Sequence, residues 1–98
     1  MPKPKLIAND FDFANLLPDW RLNLATQELE RTFVFEDFKS AFQFMTLCAN
    51  FAEELDHHPD WSNSWNRVSV RLSTHSMKAL TELDITMANA MDQFALQV

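Results

Sequence analysis

A chain of 98 residues that contains no glycine is restricted in how its backbone can reverse. Glycine reaches positive φ at no steric cost, so tight turns here must draw on Asn, Asp or Ser. The same absence excludes the glycine-rich loops that cradle phosphates in P-loop and dinucleotide-binding folds. The length is that of one small domain, large enough for a single core and too small for two. At 47% hydrophobic, 12% aromatic and 22% charged residues, the composition is that of a packed globular unit. The expected domain is 1–98, with residues 1–8, which carry two prolines and two lysines, as a flexible tail.

A net charge of −6, from 14 acidic against 8 basic residues, and the lack of a Lys/Arg cluster argue against direct nucleic-acid binding. The single cysteine, Cys48, cannot form an intramolecular disulfide, and its place in an apolar helical run suits a core residue in a reducing compartment. The N-terminal Met-Pro-Lys-Pro-Lys lacks an apolar signal core, and no apolar run approaches the ~18 residues needed to span a bilayer. A cytoplasmic protein with no membrane attachment is expected.

Periodicity orders the rest. Asn9-Asp10 read as the start of a short helix bearing Phe13, Leu16 and Leu17, which Pro18 ends. The period then becomes two. Trp20, Leu22 and Leu24 alternate with Arg21 and Asn23. After a polar break at Ala25 to Gln27, Leu29, Arg31, Phe33 and Phe35 share one face of a second strand. Asp37 can cap a long helix from Phe38 to Leu55, which has two adjacent apolar stripes: Phe38, Ala41, Phe42, Met45, Ala49 and Ala52, then Phe44, Leu47, Phe51 and Leu55. That arc is wider than one core-facing side needs. The expectation is that one stripe packs on a sheet while part of the other, the stripe from Phe44 to Leu55, makes a subunit contact.

Pro59 disfavours helix at His58 and turns the chain. Asp60 to Trp65 and Val68 to Ser73 read as strands joined by a turn at Asn66-Arg67. Thr74-His75-Ser76 is a polar loop, and Thr81-x-x-Asp84 has capping-box spacing at the start of a last helix whose buried side carries Leu83, Met87, Ala90, Met91 and Phe94. The order is helix, two strands, helix, two strands, helix: a small α+β domain.

The residues with chemistry cluster between Glu53 and Asp84. All three histidines are there, and imidazole, with an ordinary pKa of about 6.5, both donates and accepts protons near neutrality. Three His and an Asp also suit zinc or a facial-triad iron. Ligands from one helix normally come three or four apart, however, whereas His57 and His58 are adjacent. Covalent catalysis has little support, because Cys48 is mid-helix and no elbow motif surrounds Ser62, Ser64, Ser73 or Ser76. Each residue also has a plain structural reading: a helix-exit His bonding the last carbonyls, Asp84 as a cap, Glu53 as a solvated helix residue, Trp65 as packing.

Taken together, Glu53-x3-His57-His58-Pro59-x5-Trp65-x9-His75-x8-Asp84 closely resembles the signature of the pterin-4a-carbinolamine dehydratase family. The flanking Phe35-Glu36-Asp37-Phe38, Ala41-Phe42-x-Phe44-Met45 and Leu72-Ser73-Thr74-His75 resemble it too, over roughly Trp20 to Phe94. Two loops depart from it. The first interstrand loop lacks a glycine often seen there, and Lys78-Ala79-Leu80 stands where Gly-Leu is common. The resemblance implies a four-stranded antiparallel sheet with three helices, in the order α-β-β-α-β-β-α. It implies removal of water from 4a-hydroxytetrahydropterin to give quinonoid dihydropterin, without metal or organic cofactor, in the recycling that serves aromatic amino acid hydroxylases. It also implies homodimers or homotetramers and, in some members, a role as a dimerisation cofactor of a transcription factor, acting through the helix surface. By the same resemblance His57, His58 and His75 line the pterin pocket. His57 and His75 are the proton donors or acceptors, and His58 is chiefly a binding and positioning group. Asp84 orients His75, Glu53 supports the site from the helix, and Trp61 or Trp65 forms an apolar wall.

Overall fold

A computed structural model describes residues 3–8 and 10–98. The elements are α1 (Phe13–Leu16), β1 (Arg21–Asn23), β2 (Glu28–Val34), α2 (Phe38–Leu55), β3 (Asp60–Ser64), β4 (Arg67–Leu72) and α3 (Glu82–Ala95). This is the expected order. The strands form one four-stranded sheet, β1-β2-β4-β3, antiparallel throughout.

Alternation fixes which face the helices cover. Leu29, Phe33, Val68, Val70 and Leu72 are buried while the residues between them are not, so a one-residue slip would expose the whole apolar set. Helices α2 and α3 pack on each other and on β4, closing the core around Phe44, Met87 and Met91. Phe44 is fully buried, 4.6 Å from the Phe33 ring and 4.9 Å from Phe35. Arg31, on the core-facing side, lies over Phe33 and pairs with Asp92 of α3, which also accepts from Trp20 Nε1 at 2.8 Å. On the uncovered face Arg21, Glu30, Arg71 and Asp60 are successive cross-strand neighbours, a row of alternating charge spanning all four strands.

The Asp37 carboxylate caps α2. It accepts from the Ser40 amide at 2.8 Å, and that bond holds it below the usual carboxylate range. The buried line of the helix is Ala41, Phe44, Cys48 and Ala52. It runs along the boundary between the two expected stripes and includes Cys48, which belonged to neither. Phe38 and Phe42, from the first stripe, are therefore left on the flank, 47% and 56% exposed. In α3 the buried residues include Ala88, while Ala90 is only partly buried.

Helix α1 is capped by Asp12, whose carboxylate accepts from the Asn15 amide, and so begins later than the expected Asn9-Asp10; Asn9 lies outside the described residues, as do Met1 and Pro2 of the expected tail. Residues 3–8 form no helix or strand, yet the Lys5 carbonyl accepts from the Glu82 amide at 2.9 Å and Leu6 bridges Thr81.

Positive φ falls on Gln27, Asp56, Trp65 and Lys78. Only Asp56 is of the expected Asn/Asp/Ser type. Gln27 and Lys78 sit in the two loops where the sequence departs from the resembled family's glycines, so the backbone keeps a glycine-like conformation there without the residue that adopts it freely. The β3–β4 turn is Trp65-Asn66, one residue earlier than expected. Asn66 is held against Phe35 by bonds of 2.9 Å in both directions, and Asn63 Nδ2 ties together the Trp65 and Arg67 carbonyls. These bonds close the hairpin at Ser64 and Arg67, leaving Trp65 to take the left-handed position.

Candidate active site

The site is assembled where α2 ends. Asp56 takes the left-handed conformation, and the Asp56 and His57 amides both return to the Ala52 carbonyl. Backbone amides thus close the helix, and the two imidazoles are not spent on its last carbonyls. Each instead meets a carboxylate.

His57 is 8% exposed, and its Nε2 lies 2.7 Å from Oδ1 of the fully buried Asp84. Asp84 stands at the third position of α3 in the expected capping box: its Oδ2 accepts from the Thr81 amide at 2.9 Å while the Thr81 hydroxyl accepts from the Leu83 amide. The same Oδ2 accepts from the Thr74 hydroxyl at 2.8 Å. Because Thr74 has one hydroxyl hydrogen and gives it to Asp84, the 2.6 Å contact between Thr74 and Thr81 is donated by Thr81. Every donor around the carboxylate is accounted for. This leaves His57 as a donor through Nε2, with Nδ1 as its acceptor when neutral.

His58 is exposed, with Nε2 2.5 Å from Glu53 Oε2, so Glu53 meets His58 from α2. His75 opens a 3-10 turn, His75–Met77, beyond β4, and its ring is 70% exposed. Its Nε2 lies 2.9 Å from Asp60 Oδ2. The expected pairing of Asp84 with His75 is therefore corrected. Both Asp84 oxygens are committed beneath His57 to the start of α3, whereas His75 turns outward to the first residue of β3. Asp60 was missed in the sequence. The signal was the strand register, since Asp60 faces Arg71, four residues before His75. Thr74, 4% exposed, was also missed, because a Thr in a loop carries no mark of burial.

His57, His58 and His75 line one cavity of about 630 Å³, within the usual ligand-site range, together with Leu55, Asp56 and Ser76. Neither tryptophan is among its lining residues. Trp61, opposite Val70, packs against the core, and Trp65 is 64% exposed at the far end of the hairpin from Asp60. The expected aromatic wall is not part of this cavity; its apolar lining includes Leu55 and Leu83 instead. Among the described residues, no group of three or more His, Cys, Asp or Glu side chains is placed to hold a metal ion. Nor is any helix among them long and apolar enough to cross a membrane.

Comparison with known proteins points the same way. Residues 4–94 match the family model of pterin 4 alpha carbinolamine dehydratase. A relative in Bordetella avium is 48% identical over 83% of this chain and 75% of its own, and one in Rhizorhabdus wittichii is 45% identical over 86% and 87%; both carry the provisional name pterin-4-alpha-carbinolamine dehydratase. A crystal structure from Brucella melitensis, described as a transcriptional coactivator/pterin dehydratase, superimposes with a TM-score of 0.83 at 40% identity over 93% of this chain and 99% of that one. A pterin dehydratase-like protein described as a RuBisCO assembly factor in the alpha-carboxysome, 22% identical with a TM-score of 0.69 over 79% of this chain and 89% of that one, shares the fold. With its signature residues in place and the family model matched over nearly its whole length, the chain belongs to the pterin 4 alpha carbinolamine dehydratase family.

Proposed function

We propose that the protein converts 4a-hydroxytetrahydropterin to quinonoid dihydropterin and water by general acid–base catalysis, recycling the pterin used by aromatic amino acid hydroxylases. The observation that carries this reading is the set of three imidazoles on one cavity, each with Nε2 within hydrogen-bond reach of its own carboxylate. In the elimination the C4a–O bond breaks, and the departing oxygen takes a proton and leaves as water. The N5 lone pair becomes the second bond to C4a, and the N5 proton passes to a base. The products balance without an external electron donor or acceptor.

His57 suits the base. It is buried, its tautomer is set by Asp84, and Nδ1 is its free lone pair. His75 suits the acid, because a ring open to solvent and paired with a carboxylate can be reprotonated from water between turnovers. His58, held by Glu53, borders the cavity and positions the ring system. The names of the relatives support the same reaction class.

A homodimer or homotetramer is part of the proposal, with Phe38 and Phe42, whose ring centroids are 5.7 Å apart on the exposed flank of α2, as the contact. The same flank favours the second reading, a dimerisation cofactor that binds a partner helix. The catalytic reading is tested by generating the carbinolamine with a hydroxylase and following quinonoid dihydropterin. Parent protein accelerates its formation, and His57→Ala and His75→Ala each lose about 10²-fold or more. No acceleration by parent protein, even well above catalytic concentrations, refutes it.

A further inference from the structure

We infer that Asp60 is the positioning residue for His75, and so a functional member of the site that the family signature quoted above does not contain. The inference rests on the proposed dehydratase reading. It starts from an asymmetry among the three imidazoles. His57 is gripped by a buried network, but His75 stands 70% exposed on a single 3-10 turn. The backbone of that turn is fixed: the Thr74 amide bonds the Ala79 carbonyl, the Met77 amide that of Thr74, and the Lys78 amide that of His75. The ring is not fixed by any of these, and among the described residues its one hydrogen bond to another side chain is from Nε2 to Asp60 at 2.9 Å.

Asp60 is built to hold that ring. It follows Pro59, whose φ is restricted, and begins β3 in register with Arg71, so its backbone is set from both sides. An aspartate has only two side-chain torsions, so little freedom is lost in holding the bond. Arg71, its cross-strand neighbour on the same face, makes no ion pair with it. The carboxylate is thus directed along the surface to the imidazole. An exposed pair of this kind adds little to fold stability. Its effect is on orientation: with Nε2 given to Asp60, Nδ1 is the nitrogen left to meet the substrate, and a displaced ring would spoil proton transfer without unfolding anything.

A double-mutant cycle separates this from a structural role. Asp60→Ala is expected to lower kcat on the order of tenfold to a hundredfold, with KM changed less than about twofold and the urea midpoint near the parent's. In a His75→Ala background the same change is expected to cost nothing further, because a residue that acts only through His75 has nothing left to act on. Asp60→Glu, which keeps the carboxylate, is expected to recover part of the loss. If parent and His75→Ala differ as stated but Asp60→Ala has parental kcat, the inference is overturned while the dehydratase reading stands. An Asp60→Ala loss that persists undiminished in the His75→Ala background, or that follows a fall in stability, overturns it equally. An inactive parent protein removes both.

Discussion

Asp84→Asn replaces one carboxylate oxygen by an amide nitrogen of nearly the same size, and the site's hydrogen bonds determine what must happen next. Three donors converge on Asp84: His57 Nε2 on Oδ1, and the Thr74 hydroxyl and Thr81 amide on Oδ2. An asparagine has one acceptor oxygen, so it keeps the two donors at Oδ2 and presents its NH₂ group to His57. His57 can meet that group only as an acceptor at Nε2, which moves its hydrogen to Nδ1 and removes the lone pair assigned to the substrate. Bonds to a charged acceptor are worth about 1.5–3 kcal/mol each and neutral ones about 0.5–1.5. Losing roughly 1 kcal/mol at each of three bonds lowers stability by about 3 kcal/mol. Against the 5–15 kcal/mol typical of a domain, the variant still folds. At about 4–8 °C per kcal/mol its Tm falls by about 12–24 °C. The activity loss is larger in proportion, about 10²–10⁴-fold if His57 is the base; the same swap in Ser-His-Asp triads, which leaves the His in the wrong tautomer, costs about 10⁴-fold. Ring ¹⁵N shifts of His57, urea denaturation and single-turnover dehydration read the three consequences separately. A flipped tautomer with kcat within about threefold of parent would refute the assignment of His57, and an unflipped tautomer would refute the hydrogen-bond reasoning itself.

Two other consequences concern the fold. Lys78→Gly relieves a left-handed position that costs a non-glycine residue about 1–2 kcal/mol, less about 0.5–1 for the freedom glycine gains when unfolded, so its urea midpoint rises by the equivalent of about 0.5–1 kcal/mol. Lys78→Ala keeps the Cβ and shows no such gain, and equal midpoints for the two variants would contradict the strain. Burial pushes the Cys48 thiol from 9.0 up to about 12. Its neutral form is favoured by folding, so this contribution is whole below pH 9.0 and is lost as pH rises from there towards 12. Native protein near pH 9 therefore labels with thiol reagents only as fast as it opens, and labelling at the rate of an unfolded control would contradict this.

The fold was legible in the sequence because its elements have strong periods. The 2-residue alternation around Leu29 and Phe33, and the unbroken run from Phe38 to Leu55, each allow one structure. What failed were judgements that need a neighbour. Which boundary of a broad apolar arc faces inward depends on where the sheet lies, so Cys48 was assigned to the core but to neither packing stripe, and Phe38 and Phe42 to the wrong side. The hairpin turn moved by one residue because Asn66 is claimed by Phe35, 31 positions away in sequence. In the site, the histidines, Glu53 and Asp84 were picked out by their resemblance to the family signature, which does not give their pairing. Asp84 was matched with His75, nine residues before it in sequence, whereas the fold buries it under His57 and gives His75 to Asp60.

The central claim is that a pterin occupies the cavity between His57, His58 and His75. Titrating the protein with a stable pterin that lacks the 4a-hydroxyl group, while following the imidazole C–H signals by NMR, tests it without depending on turnover. The account predicts saturable shifts of all three imidazoles with one common Kd. Signals that stay in place at millimolar pterin, or shifts confined to the Phe38 and Phe42 flank, would contradict it.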